Sequence, residues 1–89
     1  MTVEMLETLQ AGVMVTTNKG AILTVTSNTI HQHADVHGRD RATGCYYHSV
    51  TLASVDGKSF TLRTREMSNA GVHSVNAQAA HIAGQMEVA

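Results

Sequence analysis

The sequence predicts a mainly β member of the α+β class: about five antiparallel strands in meander order, or a small partly closed barrel, with a short helix at each end. Two glycine turns are each flanked by alternating apolar and polar residues. A third run alternates His and Asp with Ala and Val, and both ends of the chain switch to helical spacing.

Val3, Leu6 and Leu9 recur at helical spacing, which predicts a helix over residues 2–11. Thr2 suits the N-cap, Glu4 and Glu7 lie toward the positive end, and Gly12 suits the position just past the C-terminus. Two similar hairpins follow, over residues 13–25 and 50–62. Each fits a three-residue loop with a type I turn and a glycine, Gly20 or Gly57, in the left-handed position. That register sets Val15 opposite Leu23 and Val13 opposite Val25, then Leu52 opposite Phe60 and Val50 opposite Leu62. A two-residue turn at Asp56-Gly57 would oppose Leu52 to Thr61 and mix the faces, so the bulged turn is preferred.

Residues 30–37 read as a separate strand with Ile30, Ala34 and Val36 on the core face. Residues 38–44 read as a polar loop, and residues 45–48 lead into the second hairpin. After Arg65, the residues Val72, Val75, Ala79, Ile82 and Met86 follow a three-four spacing that predicts one helical stripe, started by Ser68 or Ser74. In that reading Gly71 and Gly84 are interior and each costs about 1 kcal/mol.

The two hairpins with short bulged turns resemble small SH3-type barrels across residues 12–65. The resemblance rests on pattern and implies a partly closed sheet of short strands.

The 89 residues are expected to form a single domain, 1–89, near the low end of what buries a sufficient core. With one Phe, two Tyr and no Trp, burial per residue is modest, which points to a homo-oligomer. A formal charge of −1 and a pI near 6.6 argue against a protein that coats extended nucleic acid. No apolar run approaches a signal-peptide core or a membrane span. Cys45 is the only cysteine, so an intrachain disulfide is impossible and a cytoplasmic setting is expected.

Three groups of residues carry possible chemistry. His31, His33, Asp35 and His37 fall on alternate positions, so an extended strand projects all four from one face. Imidazole and carboxylate suit zinc or another transition metal, while the same alternation is ordinary for a strand whose outer face meets water. Arg39, Arg41, Arg63 and Arg65, with Tyr46 and His48, form a second group. Guanidinium suits phosphate and a tyrosine ring can stack on a base, so these residues predict a site for an anionic ligand such as a nucleotide. Arg63 and Arg65 are expected together on the outer face of the last strand. Their alternative role is surface pairing with Glu66 or Asp56. The third group, Cys45 with His48, has opposite strand parity, which argues against a nucleophile–base pair.

No catalytic constellation is legible, so the chain is expected to be a non-catalytic binding protein with no cofactor. Its expected ligand bears phosphate, and a sequestering or inhibitory accessory role fits that character. The alternatives are a metal-binding protein built on the histidine row and a protein–protein interaction module.

Overall fold

In the computed structural model, which describes residues 1–32, 46–67 and 73–89, the first helix, α1, spans Val3–Thr8. Thr2 caps it, its hydroxyl accepting from Met5 N at 3.1 Å. Val3 and Leu6 are buried along one side. The helix ends sooner than its spacing suggested, because Leu9 is already extended and its N–H bonds Leu6 O at 3.3 Å. Gly12 therefore does not close the helix. It takes a φ of 96° and donates to Val25 O at 2.7 Å, turning the chain into the sheet.

Both hairpins form with the expected register. Strands β1 (Met14–Thr17) and β2 (Ile22–Gln32) set Val15 opposite Leu23. Strands β3 (Tyr46–Ser54) and β4 (Ser59–Arg63) set Leu52 opposite Phe60 and Val50 opposite Leu62. Gly20 and Gly57 hold φ values of 84° and 90°, the left-handed region that the bulged turn requires. At the second turn the Asp56 carboxylate accepts from the Ser54 hydroxyl and from Lys58 N–H. Those bonds hold its carboxyl below the usual aspartate range.

The strand expected over residues 30–37 is not separate. Residues 30–32 continue β2, which runs for 11 residues along β3; residues 33–45 lie outside the described part. A β-bulge makes this continuity possible. Val25 pairs with Leu52 and Ser27 with Thr51, so Thr26 is the extra residue. One inserted residue exchanges the faces of everything beyond it. Val25 points into the core, and after the bulge Asn28 and Ile30 point to that same side while Thr29 and His31 point away. Ile30 does not join the core as expected: it is 57% exposed and borders a pocket with residues 7–11.

The main sheet has the order β4-β3-β2-β1-β7, all antiparallel, with β4 and β7 as its edges. It is not closed into a barrel. The first four strands form a meander, but the fifth place is taken by β7 (Met86–Val88), which pairs with β1 as Thr17↔Met86 and Val15↔Val88. A second, two-stranded sheet joins β5 (Arg65–Met67) to β6 (His73–Val75).

The C-terminal stripe divides among three elements. Among its described residues only Ala77–Ala83 is helical (α2), capped by Asn76, whose side chain accepts from Ala79 N at 3.0 Å. Val75 belongs to β6 and Met86 to β7, while Val72 lies outside the described residues. Gly84 is the C-cap and not an interior residue. The core gathers Leu6 and Leu9, Val15, Leu23, Val25, Val50, Leu52 and Leu62 of the sheet, Ala79 and Ala83 of α2, and Met86. Both helices therefore cover one face of the sheet, called inner below.

Candidate functional site

The bulge in β2 decides which polar residues meet. Beyond it, register pairs Ile30 with His48 on the inner face and His31 with Tyr47 on the outer face. Tyr46 and His48 are two apart in β3 and share the inner face; Tyr47 lies between them and points out. The described residues of the expected anion site, with Tyr47, thus separate into two clusters on opposite faces.

The outer cluster is a three-layer stack. His31 lies parallel to Tyr47, with ring centroids 4.8 Å apart and 16° between planes. The Arg63 Cζ sits 4.0 Å from the centroid of the Tyr47 ring. Because β2 and β4 flank β3, the imidazole and the guanidinium approach Tyr47 from opposite sides. The contact with Arg63 is cation–π. Arg63 Nε also donates to Arg65 O at 3.3 Å, which fixes the plane of the guanidinium. Among the described residues no carboxylate pairs with Arg63.

The inner cluster is a closed network around Glu7 of α1. Arg65 donates to it twice, from Nε at 2.9 Å and Nη2 at 2.8 Å, and the Thr64 hydroxyl donates at 2.8 Å. The Glu7 side chain is 7% exposed and that of Arg65 19%. Burial pushes the Glu7 carboxyl up. The bonds from Arg65 and Thr64, the Arg65 charge and the smaller field of His48 outweigh it and hold the group below the usual glutamate range. The bond to Glu7 raises Arg65 further against its own desolvation. Thr64 is fully buried and fully bonded. Its hydroxyl accepts from His48 N–H at 2.9 Å, its N–H donates to His48 O at 2.9 Å, and its carbonyl accepts from Asn76 N–H at 2.9 Å.

Thr64 also explains why Arg63 and Arg65 do not share a face as expected. The strand breaks at Thr64, the chain passes from β4 into β5, and alternation is lost there. Arg65 turns under the sheet to Glu7, and neither Glu66 nor Asp56 is its partner. Arg65 is thereby a structural cation, with its Cζ 5.2 Å from the Tyr46 ring centroid. His48 meets Tyr46 edge to face, centroids 5.8 Å apart. Its Nδ1 lies 2.8 Å from Asn28 Oδ1.

Sequence reasoning passed over Asn28, Glu7 and Thr64. Asn28 had one available signal, an amide in a strand otherwise built of Thr, Ser and aliphatic residues, whereas the pairing of Glu7 with Arg65 spans 58 positions and has no local signature. Of the histidine row only His31 is described; His33, Asp35 and His37 lie outside the described residues, as do Arg39, Arg41 and Cys45. Among the described residues no group of three or more His, Cys, Asp or Glu is placed to hold a metal ion. Nor, among them, is any helix long and apolar enough to cross a membrane.

No protein-family model matches the sequence, and no curated protein or solved structure matches it.

Proposed function

We propose that this protein is a small non-catalytic binding protein that takes a phosphate-bearing ligand, such as a nucleotide, at Arg63 on the outer face of the sheet. One observation carries the reading. Arg63 is held by the Tyr47 ring and by Arg65 O, yet among the described residues its charge meets no carboxylate. A guanidinium has five N–H donors in a planar fork, and among the described residues only Nε is engaged. Its terminal amino groups suit two oxygens of a phosphate. A guanidinium fixed in advance loses less side-chain freedom on binding than a free one. His31, stacked on the other side of Tyr47, adds a second polar ring to the same face of the sheet.

A homo-oligomer and a cytoplasmic setting belong to the same proposal. Exposed Met14 and Ile22 on neighbouring strands support the first, and the single cysteine supports the second.

Isothermal calorimetry with a panel of nucleoside mono-, di- and triphosphates tests the reading. Binding that weakens at least tenfold in Arg63→Ala, while the protein melts as before, supports it. No heat with any member, or equal binding by Arg63→Ala, overturns it. Sedimentation velocity of the same sample tests self-association.

A further inference from the structure

His48 borders a cavity of about 330 Å³ between the residues leaving α1 and the inner face of β2 and β3. Asn28 determines which nitrogen of its ring carries the proton. The Asn28 amide donates to two backbone carbonyls, Glu7 O at 3.1 Å and Leu9 O at 2.6 Å. Carbonyls only accept, so the NH2 group faces them and Oδ1 faces His48 Nδ1, 2.8 Å away. An amide oxygen cannot donate, and the shared proton therefore sits on Nδ1. The neutral imidazole keeps its lone pair on Nε2.

Leu9, Ala11 and Ile30 form the apolar part of the remaining lining, beside Thr8 and Gln10, and the Thr8 hydroxyl is spent on Met5 O at 2.7 Å. The charge of Glu7 is balanced by Arg65, so a charged ligand finds no unbalanced counter-charge there among the described residues. The volume lies at the lower end of the range for small-molecule sites. One acceptor of fixed orientation beside the apolar Leu9, Ala11 and Ile30 suits a small, mostly apolar molecule with one donor.

We propose that this cavity binds a neutral aromatic molecule carrying a single N–H or O–H, of the indole or phenol class, which donates to His48 Nε2. The cavity and Arg63 lie on opposite faces of the sheet, so this site stands or falls independently of phosphate binding at Arg63.

Long-range proton–nitrogen NMR of the free wild-type protein reads the tautomer directly, with Nδ1–H expected. Titration with indole and with phenol is expected to saturate, moving the Nε2 resonance and the amides of Leu9, Ala11 and Ile30. His48→Phe keeps a ring but removes the acceptor, and should weaken indole by about tenfold. Ile30→Ala changes an exposed side chain that folding does not need and should weaken it by about fivefold. Three results would each overturn the proposal: an Nε2–H tautomer in the free protein, titrations that stay linear to the solubility limit, or wild-type affinity in Ile30→Ala. If His48→Phe fails to fold, the tautomer and the Ile30 variant still decide.

Discussion

Replacing Arg65 by alanine removes two of the three hydrogen bonds that the Glu7 carboxylate accepts and leaves it with Thr64 alone. An exposed ion pair contributes about 0–1 kcal/mol, whereas removing one partner of a buried pair costs about 3–5 kcal/mol. Glu7 is nearly buried and Arg65 somewhat exposed. The expected loss is therefore near the lower end of the buried range, about 3 kcal/mol. For a chain of this size each kcal/mol lowers Tm by about 4–8 °C, so a fall of about 15 °C is expected.

Acid should narrow that gap. In the wild type the Glu7 carboxyl is depressed, so its contribution is complete above the unfolded value of about 4.3 and fades as pH falls through the folded one. In Arg65→Ala the burial that raises the group persists while two bonds and the charge that lower it are gone. Protonation then relieves the variant and weakens the wild type. Adding Glu7→Gln to the variant should recover about 1–2 kcal/mol by removing the stranded charge. Urea melts at pH 7 and pH 4 measure all of this. A loss below about 1 kcal/mol, comparable to an exposed pair, or a loss that does not change with pH, would refute the argument.

Other substitutions test other joints. Gly57→Ala meets no neighbouring atom, so its cost is the left-handed backbone alone, about 1–2 kcal/mol, visible as a lower thermal midpoint. Asn76→Ala removes the cap of α2 and should lower stability by about 1 kcal/mol in urea. Leu52→Ala, at a fully buried position in the central sheet, should cost about 2–5 kcal/mol by the same measurement. Deleting Thr26 removes the bulge and restores plain alternation, so every pairing beyond it should hold and Asn28 and Ile30 should stay on the inner face. Persistence of the His31–Tyr47 ring contacts in NMR spectra would report it, and their loss would show that Thr26 is not the extra residue.

The hairpins were legible because a glycine with positive φ and a period-two pattern act within a dozen residues, and both were read in the right register. The face carried by each residue after Val25 was harder. A bulge leaves no strong mark in a run of Thr and Ser, and Thr26 looks like any other strand residue. The C-terminal stripe misled because its three-four spacing is met by residues of three elements: Ala79 and Ile82 of α2 and Met86 of β7 reach the same core, while Val75 of β6 stays exposed. Asn76, three positions before the buried Ala79, was the better start signal. Of the site, the individual residues Arg63, Tyr46 and His48 were visible by type. Their separation onto two faces followed from strand parity and from the break at Thr64, and the capture of Arg65 by Glu7 depended on tertiary packing.

The pairing of β1 with β7 bears on how the protein is made. During synthesis the hairpin of β1 and β2 can close early, yet one side of β1 offers bare N–H and C=O groups until Met86–Val88 emerges. Until then that row is a template for any extended chain nearby. Arrival of β7 shuts it, so Met86–Val88 guard against the wrong neighbour as much as they complete the sheet.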